Sequence, residues 1–476
     1  MVKGFDLFVI VVYFAFLVTL GYFMTKRVRS SEDAMVAGRK LGVLLTASGR
    51  GANLVGGATI VGGASWGFSL GITGIWFAIS TALLGFAFAP LAGKIKRVAD
   101  KLKFLTIGDF FEYRYNRTAR MIAGLSNAIA FIGFVASQIV TTGVAMEAIL
   151  DISSIKAMII STLIVMAYTM MGGLWAVIYT DLFQLIIIFV AVPLMMLPVC
   201  LNKVGGFSHL AAVLPAKMLD IGGLGWGAII SMVIGTTLAG FVLQSGFAYS
   251  IASKDDKTAT HASWVSSIIY IIPAVAAVII GMTAFLLLPD LKNANAAATA
   301  IAKAILPAGM AGLFLAAIIA ATMSTASTCS MMSTMCIIRD FYQTIVNPRA
   351  DEKTLLRLTR LTVMIVITVA LIVAIEFPKI IPLIIWGYTF AVGALLAAML
   401  GGFFWRRATA AGAVASMLAG GGLHLGLAIA KVLPKPLDPI FFSLPAAALV
   451  LVVVSYLTPP PKAEVVDAFM EKEATC

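Results

Sequence analysis

Between Ala320 and Thr334 the chain reads AATMSTASTCSMMST. Ser324, Ser327 and Thr328 stand at i, i+3 and i+4, which is one face of a helix, with Thr325 beside them. Hydroxyl and carbonyl oxygens are hard ligands, suited to an alkali cation rather than to zinc or copper. The plainer use of such hydroxyls is to bond back to carbonyls of their own helix, but so many in one apolar run favour a functional role. A second stretch, SGRGANLVGGATIVGGASWGFSLG (Ser48 to Gly71), holds eight glycines. Glycine costs about 1 kcal/mol against alanine inside a helix. That density predicts an unwound helix whose free carbonyls face something polar; close helix packing through Gly56, Gly57, Gly62 and Gly63 is the alternative. Two charges fall inside apolar segments. Asp181, in GGLWAVIYTDLFQ, marks an ion or proton pathway, or else a boundary residue just outside hydrocarbon. Three uses are open to Arg50: pairing with Asp181, snorkelling to the aqueous surface, or holding a carboxylate on a solute.

The elements that must position these residues follow from composition. Hydrophobic residues make up 61% of the 476 positions and charged residues 12%, about half the charged share of a soluble domain. The apolar residues come in blocks of about 20, the length of a bilayer-crossing helix. Segments such as VAVPLMMLPV and AALVLVVVSYL have no polar face at any period, and the short alternating segments of a membrane β-barrel are missing. The chain therefore reads as an all-α polytopic membrane protein with thirteen spans: 5–25, 41–64, 68–93, 120–149, 155–173, 176–200, 226–252, 263–289, 307–338, 358–377, 380–403, 408–430 and 439–457. Residues 1–457 read as a single transmembrane domain, and 458–476 as a short, solvated cytoplasmic tail.

Charge supports the count. With the N-terminus outside and the C-terminus cytoplasmic, 24 Lys and Arg fall in inward segments and nine in outward ones, with Arg50 alone inside a span. This is the positive-inside bias. It also accounts for the net charge of +12, which needs no nucleic acid partner. The first block ends in TKRVRS without a small-residue cleavage site, so it reads as a retained helix. Four scattered cysteines and three histidines lack metal-ligand spacing. Short loops and inward positive charge fit a bacterial plasma membrane.

The glycine-rich second span, GGLWAVIYTDLFQ, and AATMSTASTCS ahead of IIRDFY, in this order, resemble the sodium:solute symporter family. The resemblance covers nearly the whole chain. It implies a leucine-transporter-type fold in which five spans (roughly 41–200) are followed by five of inverted topology (226–403), with one extra span before and two after. It implies a sodium-coupled symporter that imports a small organic solute by alternating access and functions as a monomer. Its main sodium site maps onto the carbonyls of Gly51, Leu54 and Ala321 with the hydroxyls of Ser324 and Thr325. A second sodium site, found in some members, maps onto Asp181, Ser324, Ser327 and Thr328. The substrate region maps beside Asn53 and across GTTLAGFVLQSG (Gly235 to Gly246), which includes Phe241 and Gln244. The choline branch is similar in YTMMGGLWAVIYTDLFQ and TIGDFFEYRY, and a quaternary amine would need an aromatic cage from Trp66, Phe68 and Phe241. The tryptophan and the Gln-Arg pair of those relatives are replaced near Ala239 and at Ser245-Gly246, which argues against choline.

Other classes fit less well. A membrane enzyme would need paired carboxylates, a Ser-His pair or clustered ligands, and His209, His261 and His424 sit in no such arrangement. A channel would want a repeated filter. A proton-coupled carrier of the same fold is the runner-up, because Asp181 could carry a proton.

Overall fold

The structure, a computed structural model, describes residues 36–150, 152–169, 174–434 and 437–470, with isolated positions between 8 and 23. The expected first span, Gly172-Gly173 of the Asp181 motif and Cys476 thus lie wholly or largely outside the described residues. Among the described residues the architecture is helical, with ten helical stretches long and apolar enough to cross a membrane.

The glycine-rich segment is two helices, α1 (Val43–Leu54) and α2 (Gly57–Leu70), parted at Val55-Gly56. Gly71, at φ +64°, then turns the chain into α3 (Ile75–Leu102), a left-handed backbone that favours glycine. The sequence predicted the next span from residue 68; the helix before it runs on to Leu70 instead. After the short α4 (Ile107–Arg114) come α5 (Arg117–Leu150), α6 (Ser154–Thr169) and α7 (Leu174–Phe189), which continues through a π-helical turn at Val190–Met196. A second interruption divides α8 (Trp226–Ala239) from α9 (Gln244–Ala252), where hydropathy alone predicts one continuous span. Later in the chain, with shorter helices between some of the elements, come α10 (Asp256–Leu287), α11 (Met310–Met335), α12 (Glu352–Glu376), α13 (Ile380–Phe404), α14 (Ala410–Ala430), α15 (Ile440–Leu457) and α16 (Ala463–Met470).

The two broken helices run in opposite directions. Gly51 packs on Ile269 and Gly63 on Ala277, so α1–α2 is parallel to α10. Ser263 donates to the Gly85 carbonyl while Gly93 abuts Asp256, so α3 is antiparallel to α10. Thr237 donates to Ser80 and Gly246 meets Phe88, so α8–α9 is parallel to α3. The far ends of the broken helices are joined by a backbone bridge, with Leu41 N donating to Ala252 O (3.0 Å) and Lys254 N to Leu41 O (2.9 Å).

The tail departs from its expected solvated state. Helix α16 buries Phe469 against Phe104, Phe110 and Phe403, and Asp467 pairs with Arg406 at 2.5 Å. An aromatic side chain offered to an apolar surface is drawn out of water.

Candidate functional site

The break at Val55-Gly56 lies against α11. A Cβ on Gly57 would collide with Thr322 Cγ2 and lie 2.9 Å from the Ile318 carbonyl, while one on Gly56 would lie 2.8 Å from Thr325 Oγ1. Small residues here let a loosened backbone approach a hydroxyl-bearing helix. The two readings of the glycines are thus not alternatives: the helix breaks at Gly56 and packs closely at Gly57. Asn53 joins the same contact, with Cys329 Sγ 3.9 Å from its Oδ1.

The oxygens at this junction are nearly all engaged. Gly51 O accepts from Val55 N (2.8 Å), Leu54 O from Thr59 Oγ1 (3.0 Å) and Ala321 O from Ser324 Oγ (3.0 Å). Each carbonyl keeps a second lone pair, and a donating hydroxyl keeps its own. Thr325 Oγ1 is buried with no partner. One hydroxyl without a partner, set among carbonyls with spare lone pairs, suits a hard cation. Ser327 Oγ donates to Ser324 O at 2.9 Å, the back-bonding that is the ordinary use of a helix hydroxyl.

Asp181 is carried by α7, which packs against both α1 and α11. Its carboxyl group is fully buried in the protein and neither oxygen has a partner. Tyr249 of α9 lies near Asp181, Arg50 and Thr328, and its hydroxyl and that of Thr328 are each buried without a hydrogen-bond partner. A Cβ on Gly49 would lie 3.0 Å from Tyr249 and 3.2 Å from Ile178. Arg50 does not pair with Asp181 and does not reach the surface. It is 5% exposed, and its guanidinium lies 4.6 Å over the Phe88 ring.

Both breaks open on one cavity with about 50 Å³ of space for water-sized molecules. One water needs roughly 10–15 Å³ on this measure, so the space suits a few waters or a small solute. Its polar lining comes from Arg50, Asn53, Thr59, Thr81, Gln138, Ser245, Tyr249 and Thr325, and its apolar walls include Phe77, Leu84, Phe131, Phe134 and Ile384, with Tyr388. No carboxylate lines it.

Of the expected substrate residues, Asn53 lines the cavity and three do not. Trp66 turns edge-on to Phe77 outside it, and Phe241 packs against Phe88. Gln244 is fully buried, its Oε1 accepting from Ile107 N (2.7 Å) and its own N–H donating to Asn127 Oδ1 (2.8 Å). It therefore ties the start of α9 to α4 and α5. Phe68 faces Phe285, so the aromatic cage considered from the sequence does not assemble. Sequence reasoning missed Gln138, Tyr249 and Tyr388. Gln138 alone carried a signal, as an amide in the middle of an apolar span; its Oε1 accepts from Ala58 N (3.3 Å) beside the first break.

A long-helix bundle with two interrupted, oppositely directed helices around a small central cavity is the architecture of a secondary transporter. Residues 35–420 match the sodium:solute symporter family, and the chain belongs to it. The "High-affinity proline transporter PutP" of Bacillus subtilis (strain 168) is 28% identical, covering 96% of this chain and 99% of that one. The "Sodium/proline symporter" of Staphylococcus aureus is 27% identical over 86% and 83%. Among solved structures, a substrate-bound, outward-open Na+-coupled sialic acid symporter superposes with a TM-score of 0.82 at 19% identity, covering 97% of this chain and 99% of that one. Mhp1, of the nucleobase-cation-symport-1 family, follows at 0.60 and 15%, over 92% and 99%. The fold is shared with such transporters. The protein is a multi-pass membrane transporter, not an enzyme.

Proposed function

We propose that the protein is a sodium-coupled symporter that imports a small organic solute by alternating access, as a monomer, with the N-terminus outside and the C-terminus cytoplasmic in a bacterial plasma membrane. The carrying observation is the contact of the first helix break with the hydroxyl face of α11, where Thr325 Oγ1 is buried without a partner. Sodium would be held there by the carbonyls of Gly51, Leu54 and Ala321 and the hydroxyls of Ser324 and Thr325. The solute would occupy the cavity beside Asn53. The opposed directions of α1–α2 and α8–α9 support a five-plus-five inverted repeat. The turn at Gly71 supports reading α2 and α3 as separate crossings, in keeping with thirteen spans.

Sodium bridging α1 and α11 would favour one arrangement of the two bodies, and a ligand shifts states only by such differential affinity. An inward potential of about 150 mV supplies roughly 3.5 kcal/mol per ion, and a tenfold sodium gradient adds about 1.4 kcal/mol. Together these sustain roughly a thousandfold accumulation of a neutral solute.

The buried, unpartnered Asp181 favours two further readings: a second sodium held with Ser324, Ser327 and Thr328, or proton coupling. Proteoliposomes separate these. Uptake of a panel of amino acids, sugars, monocarboxylates and amines is measured under a sodium gradient alone and a proton gradient alone. Sodium alone drives uptake if the proposal holds, and uptake that follows only protons overturns it.

A further inference from the structure

Arg50 is the residue that the sodium chemistry leaves unused. Three Lys or Arg side chains are buried among the described residues: Lys96, Arg114 and Arg50. The first two are provided for. Lys96 bonds to Asp100 (2.9 Å) and the Ile251 carbonyl (3.2 Å). Arg114 donates to the carbonyls of Gly402, Ala408 and Trp405 at 3.0, 3.1 and 3.2 Å. Arg50 makes no hydrogen bond or ion pair to the protein, its Nε is buried without a partner, and its guanidinium faces the cavity from over the Phe88 ring.

A buried charge without a counter-charge or hydrogen bonds is strongly disfavoured. The cavity holds no acidic side chain to relieve it. The first turn of α9, at Ser245 and Gly246, also borders the space, and a helix N-terminus adds positive potential. The α9 helix end and an orphaned guanidinium thus ask for the same thing, an anion brought by the cargo.

We propose that the transported solute carries a carboxylate and that Arg50 binds it, which makes Arg50 the residue selecting acids over neutral solutes. The inference rests on the symporter reading and adds a source of coupling to it. Sodium entering beside Thr325 shares the cavity with a fixed positive charge, so sodium binding alone is opposed. The carboxylate neutralises that charge, so each ligand raises the affinity of the other, reciprocally.

The test uses purified protein in nanodiscs, with melting temperature read against ligand concentration in sodium and in N-methylglucamine. The probes are matched pairs: proline with prolinamide and prolinol, lactate with lactamide, and acetate with acetamide. At least one acid stabilises the wild type in sodium, while its amide and alcohol do not. Arg50→Gln weakens that acid at least ~30-fold, as expected for truncating one partner of a buried charge pair, and Arg50→Lys, which keeps the charge without the bidentate fork, loses less. In the absence of solute, Arg50→Gln binds sodium more tightly than wild type, which also shows that the variant is folded. The proposal falls if no acid binds, if an amide binds as well as its acid, or if Arg50→Gln retains the acid. A neutral solute taken up with sodium would remove the carboxylate and keep the symporter; a carboxylate taken up without regard to sodium would do the reverse.

Discussion

Two sets of buried charge can be compared. Where α4, α5 and the end of α11 meet, Arg120 bonds to Asp109 (3.0 Å), to Asp340 (3.1 Å) and to Glu112, and Thr106 Oγ1 donates to Asp340 Oδ1 (2.7 Å). Among the described residues there, only Asp340 Oδ2 and Arg339 Nε are buried without a partner. Mid-bundle, Arg50 and Asp181 have no ionic partner at all. Paired charges of the first kind lock three segments together. Charges of the second kind burden the resting protein, and on the readings proposed above they are kept for what they bind.

That contrast makes its sharpest demand on stability. Arg120→Ala strands the fully buried Asp340 next to Asp109, and breaking a buried pair costs about 3–5 kcal/mol. The variant is expected to melt far below wild type in a detergent thermal-shift assay. Asp181→Asn removes an unpaired buried charge and should melt at or above the wild-type temperature. Equal destabilisation of the two would erase the distinction. The same Asp181 variant counts ions: a wild-type Hill coefficient for sodium near two should fall to one, while a wild-type value of one that the substitution leaves unchanged rules out a second ion.

At the uncharged junction, Ser324→Ala and Thr325→Ala should each raise the sodium concentration for half-maximal uptake more than tenfold, about 1.4 kcal/mol, with little change in melting. Wild-type sodium curves in both would remove the site. Gly57→Ala forces a methyl into Thr322 and the Ile318 carbonyl. Overpacking of about 1–3 kcal/mol should appear as a lower melting temperature together with weaker sodium activation; a neutral outcome would mean the two helices can part freely. Smallest is a control outside both regions: Thr409→Ala removes the cap that accepts from Gly412 N (3.1 Å), expected to cost about 1 kcal/mol and to leave sodium dependence untouched.

Much of the architecture was legible because hydrocarbon tolerates few sequences. The expected spans 380–403, 408–430 and 439–457 match Ile380–Phe404, Ala410–Ala430 and Ile440–Leu457 within two residues. The first break was legible from glycine density at Gly56-Gly57. The second was not, since Ala239 to Leu243 contains a single glycine, and its interruption is set by neighbours, such as Leu84 pressing on Gly240. Ser324 and Thr325 were readable as hydroxyls clustered in an apolar run, and Asn53 through the family resemblance. The misplacement of Trp66, Phe241 and Gln244 has one cause: a sequence gives a residue's type and span but not the direction it faces, and each of these is turned toward a packing partner. Tyr249 and Tyr388 reach the cavity from helices distant in sequence, and no local pattern announces such a meeting.

The two backbone bonds at Leu41 have a mechanical meaning. They staple the beginning of α1 to the finish of α9 by main-chain atoms, in a place buried from water. A swing of one rod must therefore drag the other, as coupled levers move, and the flexing is left to Val55-Gly56 and to Gly240–Leu243. In the alternating access proposed above, the pivots would be the same two points that border the cavity, so that whatever fills it would hold the hinges directly.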